Sequence, residues 1–123
     1  MTQRVDYEII EKNRARKEEI MSFLADLDSF QLTIDDVIRS SPGKWQTREK
    51  AKKVAQLVVS NPGLKEHLYE HGELPVEKIQ AEMKTDRRFL LANENYIKAL
   101  VLIIASQGML LKEYIRPWGG VGK

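Results

Sequence analysis

The chain has 123 residues, a formal net charge of +2 and no cysteine. This length suits one domain, or part of a longer chain, and is enough to bury a core. The lack of cysteine excludes disulfides and thiolate metal sites. The small net charge excludes a basic field over the whole surface, so any charge that attracts nucleic acid has to be local.

The beginning of the chain is highly charged and has no apolar segment of the kind found in signal peptides. The longest apolar run, residues 99–105, is far shorter than the roughly 20 residues that a membrane-spanning helix needs. These features predict a cytoplasmic protein.

The first predicted helix covers about residues 4–28. Its second half carries apolar residues at helical spacing, namely Ile20, Phe23, Leu24 and Leu27. Its middle has almost no apolar face, which is typical of a solvated helix. Residues 1–17 are therefore predicted to be a charged helical lead-in or an interdomain linker.

Capping signals delimit the next two helices. Thr33, with Asp36 three residues later, predicts a capping box that opens a short helix. The Ser-Pro-Gly stretch that follows predicts a turn. Thr47 is then expected to cap a helix whose inner face is formed by the four residues Ala51, Val54, Ala55 and Val58.

The second half of the chain predicts four further helices. One ends at Gly72, a second has Pro75 in its first turn, and a third, capped by Thr85, runs to about Gln107. A tail helix over residues 109–115 precedes a flexible end at 119–123. The predicted fold is all-α, a compact bundle of five to seven helices that ends in a helix-turn-helix at about residues 75–105.

The residues suited to catalysis or to metal binding do not form a recognisable set. His67 and His71 have a metal-chelating spacing, but the sequence around them supplies no third ligand. The carboxylates are scattered over helix surfaces. We therefore expect no enzyme activity, no metal, no cofactor and no small-molecule substrate.

The segment 84–103, KTDRRFLLANENYIKALVLI, joins a polar, basic first half to an apolar second half. A recognition helix needs this division, because its N-terminal part enters the DNA major groove while the rest packs inside the domain. Arginine pairs with guanine and asparagine with adenine. The base-contact candidates are Arg87, Arg88, Asn93 and Asn95, and the phosphate-contact candidates are Lys44, Lys78, Lys84 and Thr85.

The same pattern also fits a helical module that docks on another protein. In that case the contacts would come from aromatic residues near the helix ends, namely Trp45, Tyr69 and Tyr114. The residue pattern leaves DNA binding and protein docking open.

Several segments resemble the C-terminal domain of sigma-I family RNA polymerase sigma factors. They are residues 30–56, FQLTIDDVIRSSPGKWQTREKAKKVAQ, then 73–83, ELPVEKIQAEM, then 93–106, NENYIKALVLIIAS, and 110–115, LLKEYI. The resemblance covers about residues 18–115 and implies a helical DNA-binding domain over 18–118. It implies recognition of the promoter −35 element, with RNA polymerase core and an anti-sigma factor of the RsgI type as partners. We expect a monomer for the isolated domain.

This chain departs from the family in the predicted recognition helix. Where the family is usually basic, it has Thr85-Asp86-Arg87-Arg88 and Ala92-Asn93-Glu94-Asn95. The departure predicts either a different promoter sequence or weaker DNA contact, with a shallow salt dependence. The alternative hypothesis is a module that binds an anti-sigma factor or a polymerase subunit without reading DNA.

Overall fold

The computed structural model describes the backbone of residues 2–106 and the side chains of residues 11–106. Seven helices and no strand occur in this part of the chain, which confirms the all-α prediction. The helices are α1 (Thr2–Ser29), α2 (Ile34–Ser40), α3 (Trp45–Ser60), α4 (Pro62–His71), α5 (Val76–Glu82), α6 (Arg87–Ala92) and α7 (Glu94–Ala105). Within the described residues no helix is both long and apolar enough to cross a bilayer. The predicted tail helix and Tyr114 lie outside the described residues.

Helix α7 is the centre of the core. Eight consecutive residues, from Tyr96 to Ile103, are buried. Its principal neighbour is α3, and α2 and α1 pack against other sides. Helix α3 contributes the predicted inner face of Ala51, Val54, Ala55 and Val58, all of it buried. A helix that is buried on every side has to be almost wholly apolar, and here the one buried charged residue, Lys98, has a hydrogen-bonding partner.

Helix α1 meets the core along a narrower stripe than its sequence suggests. Phe23 and Leu27 are buried, and Ile20 packs against the core at its edge. Leu24, however, is 41% exposed. The buried stripe of α1 therefore consists of Phe23 and Leu27, with Ile20 at its edge, and Leu24 is not part of it.

Two local signals in the sequence are confirmed. The Asp36 amide donates to Thr33 Oγ1 at 3.1 Å, and the Thr33 amide donates to Asp36 Oδ2 at 2.9 Å, which completes the capping box of α2. The hydrogen bond that the Thr33 amide donates to the carboxylate, followed by the influence of the Thr33 hydroxyl, lowers the pKa of Asp36. Gly72 ends α4 in the left-handed region, with φ of 73°.

Helix α3 begins earlier than predicted. Its first residue is Trp45, and Lys44 is the N-cap without a side-chain hydrogen bond, so the expected cap at Thr47 is wrong. The Arg48 guanidinium donates to the carbonyls of Pro42 and Gly43 at 3.1 and 3.2 Å. These bonds hold the preceding turn against the helix, so that the first turn forms ahead of Thr47.

The predicted long final helix is two helices. Helix α6 ends at Ala92 and α7 starts at Glu94, because the backbone of Asn93 leaves the helical region with φ of −112° and ψ of 16°. The Asn93 side-chain amide donates to the Phe89 carbonyl at 2.9 Å, which holds the break. The described helix ends at Ala105, and Gln107 lies outside the described residues.

The cap of this region is also not the one predicted. Asp86, not Thr85, is the N-cap of α6, since the Phe89 amide donates to Asp86 Oδ1 at 2.6 Å. Thr85 lies one residue too early to receive that bond. Its Oγ1 is buried and has no hydrogen-bond partner among the described residues.

Candidate nucleic-acid interface

The short helix α6 is held by one buried side chain and leaves its other faces open. Leu90 is fully buried, while Phe89 packs against the edge of the core. Around the rest of the helix Arg87, Arg88, Leu91 and Ala92 are exposed. The link from α5 to α6 spans residues 83–86, so the two helices are close in sequence and in contact. This order is compatible with the predicted helix-turn-helix.

Both arginines at the start of α6 have free guanidinium groups. Among the described residues neither Arg87 nor Arg88 makes a hydrogen bond or an ion pair, and both are exposed. The neighbouring carboxylate of Asp86 accepts the Phe89 amide. The arginines therefore keep all their donors available for a ligand.

The two arginines nevertheless lie in different surroundings. Arg87 lines a cavity of about 430 Å³ between α4, α5, α6 and α7. Arg88 is not among the residues that line it. The lining consists of His67, Glu73, Leu74, Pro75, Val76, Glu77, Lys78, Arg87, Leu91, Glu94 and Lys98. Three of these are glutamates and, besides Arg87, two are lysines, so Arg87 shares the cavity with charged groups of both signs, whereas Arg88 does not.

The spacing along the helices explains this division. Arg87, Leu91, Glu94 and Lys98 follow one another at intervals of four, three and four residues and share the stripe that lines the cavity. Arg88, Ala92 and Asn95 form the adjacent stripe, at intervals of four and three. The break at Asn93 does not disturb either stripe enough to separate its members.

The asparagines differ in availability. The amide of Asn93 is already hydrogen-bonded to the Phe89 carbonyl, so this side chain shapes the junction between α6 and α7. Asn95 is half-buried in the first turn of α7 and makes no hydrogen bond through its side chain within the described residues. Of the two, only Asn95 has a free amide.

The four phosphate-contact candidates are also not equivalent. Lys84 and Lys44 are exposed, the first in the link before α6 and the second in the turn before α3. Lys78 is exposed but lines the cavity between α4, α5, α6 and α7. The Thr85 hydroxyl is buried, and the Thr85 carbonyl accepts a bond from Gln80 Nε2 at 3.3 Å. Thr85 therefore does not present its hydroxyl to a phosphate in this structure.

Lys50 is a neighbour of α6 that the sequence analysis missed. Its Nζ lies 4.5 Å from the centre of the Phe89 ring, so a cation from α3 stands beside α6. Lys50 belongs to the basic stretch Lys50, Lys52 and Lys53 in α3. The stretch was visible in the sequence, but nothing local indicated which helix it would face.

Lys98 and Glu94 attach the loop between α4 and α5 to α7. Lys98 is 7% exposed, and its Nζ donates to the Gly72 carbonyl at 2.8 Å and lies 3.9 Å from Glu94 Oε2. The same Glu94 oxygen accepts the Leu74 amide at 3.2 Å. These hydrogen bonds fix the position of the start of α5 relative to α7. Because only a short link joins α5 to α6, they also constrain the position of α6.

Two of the partner-contact candidates, Trp45 and Tyr69, lie within the described residues. Trp45 is 57% exposed at the first position of α3. Tyr69 meets Phe30 edge to face, with ring centres 5.7 Å apart, and burial, followed by the charge of Asp26, raises its pKa. The rings of His67 and His71 lie 4.6 Å apart, but the described residues contain no group of three side chains that could hold a metal ion.

Comparison with known proteins finds several related sequences. The chain is 29% identical over 105 residues to the RNA polymerase sigma factor SigI of Bacillus anthracis, which covers 85% of this chain and 44% of the relative. It is 31% identical over 101 residues to SigI of Bacillus subtilis (strain 168), covering 82% and 40%. It is 34% identical over 97 residues to SigI6 of Acetivibrio thermocellus, covering 79% and 38%. No family model matches the chain. The chain thus spans about two-fifths of the length of these relatives.

Proposed function

Since the chain is a homologue of SigI-family RNA polymerase sigma factors over about four-fifths of its length, we propose that it acts in transcription initiation. In this proposal it is the C-terminal domain of such a factor and binds the promoter −35 element. Residues 18–118 form the binding domain, and residues 1–17 link it to the rest of the factor. RNA polymerase core is the further partner, and an anti-sigma factor of the RsgI type is the regulator.

The DNA-binding unit in this proposal is a helix-turn-helix made of α5, the link 83–86 and α6, continued by the first turn of α7. One observation carries the proposal: two adjacent arginines at the start of α6 are exposed and unpaired, while Leu90 of the same helix is buried and anchors it in the core. Free guanidinium groups on the outer face of a short helix suit the paired acceptors of guanine in the major groove.

The base-contact candidates can be ranked by the groups that surround each side chain in the structure. Arg88 is placed best, since its stripe continues to Asn95 and carries no carboxylate. Arg87 is second, because it lines the adjacent cavity together with three glutamates and two lysines, whereas Arg88 is not part of that lining. Asn93 is last, as its amide would have to leave the Phe89 carbonyl before it could bind a base.

Phosphate contacts are proposed for the cations around α6. Lys84 precedes α6 in the link and Lys50 stands over Phe89, so the two flank the helix. Lys44 precedes Lys50 in the chain and lies in the turn before α3. Each phosphate contact adds about 0.9 to the slope of log affinity against log salt concentration. Few contacts mean a shallow slope and weak binding by the isolated domain.

Binding to another protein is the second candidate function, and the exposed ring of Trp45 supports it. An indole that is more than half exposed at the start of a helix is a common anchor in protein interfaces. Both functions can coexist on one domain, because Trp45 and the arginines of α6 belong to different helices.

The proposal is tested by DNA selection followed by a charge-matched comparison. The 123-residue chain is used to enrich a duplex from a randomised library, and its affinity is measured by fluorescence anisotropy against a scrambled duplex. Arg88→Ala should weaken binding to the enriched duplex by about 1–3 kcal/mol, the scale of a lost base contact. The control is Arg39→Ala, which removes the same charge from an exposed residue of α2 that is paired with Asp35.

Three results would contradict the proposal. The selection could yield no preferred duplex, the chain could bind the scrambled duplex equally well, or the two variants could lose affinity equally. In the last case the loss would reflect net charge alone. NMR shifts on adding DNA should fall within residues 84–98; shifts elsewhere would favour the protein-binding function.

A further inference from the structure

The exposed face of α6 carries two apolar side chains beside its arginines. Leu91 is 46% exposed and Ala92 is exposed as well, whereas the preceding Leu90 is fully buried. Leu90 is fully buried and Phe89 packs against the edge of the core, so the anchoring of this helix does not need an apolar residue at position 91. A large apolar side chain next to two unpaired arginines therefore calls for an apolar ligand group in a charged setting.

A DNA duplex offers such a group. On the edges of base pairs in the major groove, the thymine C5-methyl is the apolar feature, and all other distinguishing groups are hydrogen-bond donors or acceptors. Resting on the proposed DNA-binding function, we propose that Leu91, assisted by Ala92, reads thymine methyl groups in the bound duplex. Leu91 is then a specificity-determining residue, and the preferred site contains thymine.

The helix geometry places these thymines relative to the guanines. Leu91 lies four residues after Arg87, and Ala92 four residues after Arg88, which corresponds to about 6 Å along the helix axis. Successive bases on one strand are about 3.4 Å apart. The thymine methyl is thus expected one or two base steps from the base that the arginine contacts.

Charge distinguishes this ligand from a protein segment in the adjacent cavity. The lining contains three negative and three positive side chains, which cancel, so the cavity does not select a charged peptide. They are Glu73, Glu77 and Glu94, and Lys78, Arg87 and Lys98. Leu91 lines this cavity together with Arg87, while Arg88 lies outside the lining; both arginines are unpaired, and the carboxylate of Asp86 is engaged in the helix cap. The exposed face of α6 favours a polyanion with apolar groups at its base edges.

The test removes a single methyl group from the DNA. Each thymine of the enriched duplex is replaced in turn by uracil, which keeps every hydrogen-bonding group and lacks only the methyl. For the unmodified chain, uracil at one or more positions should weaken binding about fourfold, the effect of one buried methyl-sized group. Leu91→Ala should bind the thymine duplex more weakly and should no longer distinguish uracil from thymine at that position.

A second leucine controls for the substitution itself. Leu24→Ala changes a comparably exposed leucine, 41% against 46%, on α1. It should retain the full discrimination between thymine and uracil. Circular dichroism of both variants checks that each is folded.

Two results would overturn the inference. Uracil could have no effect at any position, or Leu91→Ala could keep the same discrimination as the unmodified chain, which would attribute the effect to DNA shape or to another residue. In both cases an enriched duplex would still exist, so the DNA-binding function would stand. A failed enrichment would instead overturn the function and the inference together.

Discussion

Helices α6 and α7 are consecutive in the chain but physically opposite. Helix α7 buries eight consecutive residues and contacts α3, α2 and α1. Helix α6 buries one residue, Leu90, and exposes four of its six. The helix that stabilises this domain thus directly follows the helix proposed to bind DNA, and the two are joined at Asn93. Substitutions should therefore separate stability from binding.

The largest contrast is expected between two leucines that receive the same substitution. Leu100→Ala removes a buried side chain from α7 and should lower the free energy of unfolding by about 2–5 kcal/mol. Leu91→Ala changes a half-exposed residue of α6 and should cost less than about 1 kcal/mol. Urea denaturation followed by circular dichroism measures both. Equal losses would show that α6 is part of the core.

The second prediction concerns the hydrogen bonds that attach the loop between α4 and α5 to α7. Lys98→Met keeps the stem of the side chain but removes the bond to the Gly72 carbonyl. Leaving that carbonyl without its partner should cost about 1–3 kcal/mol. Hydrogen exchange at the Leu74 amide, which is bonded to Glu94, should become faster. Lys53→Met, at an exposed position of α3, should change neither quantity; if both variants behave alike, these hydrogen bonds have no energetic role.

A smaller effect should identify the residue that caps α6. Asp86→Ala should lower the free energy of unfolding by about 1 kcal/mol, whereas Asp86→Asn, which keeps a capping oxygen, should be close to neutral. Thr85→Val removes an unpaired buried hydroxyl and should be neutral or slightly stabilising. Thermal denaturation of the three variants measures this. If Thr85→Val lowered the stability and Asp86→Ala left it unchanged, Thr85 and not Asp86 would be the capping residue.

The smallest effect concerns pH and involves a residue outside α6 and α7, in the capping box of α2. Because the folded state lowers the pKa of Asp36 below its ordinary value of 3.8, the ionised carboxylate stabilises the fold. This contribution is complete above the unfolded pKa and is lost as the pH falls through the folded one. The melting temperature of Asp36→Asn should be lower than that of the unmodified chain at pH 7, and the difference should shrink below about pH 4. A difference independent of pH would exclude the charge as its cause.

Features that depend on one or two helical turns were predictable from the sequence. The capping box of Thr33 and Asp36, the left-handed Gly72 and the buried face of α3 were all predicted and are all present. Each rests on hydrogen bonds between residues at most four apart, or on the period of one helix. No other part of the chain has to be known for such features to form.

Features that depend on contacts between elements were missed. Asn93 carries no strong signal for a helix break, and the predicted helix ran through it. Thr85 and Asp86 are adjacent and chemically similar as caps, so the choice depends on how Phe89 and Leu90 turn toward the core. The approach of Lys50 to Phe89 joins residues from α3 and α6. None of these contacts leaves a local pattern.

The candidate site was therefore predicted in its residue types and not in its arrangement. Arg87, Arg88 and Asn95 are as accessible as a DNA-reading role requires, but that role stays a prediction. The sequence by itself determined the helical class, most helix ends and the polar character of α6, because periodicity and capping act over a few residues. Only the tertiary structure decided where α6 stops, which arginine lines the cavity and that Leu91 remains exposed. Those outcomes depend on the packing of α6 against α3, α5 and α7, and packing is a property of surfaces brought together from distant parts of the chain.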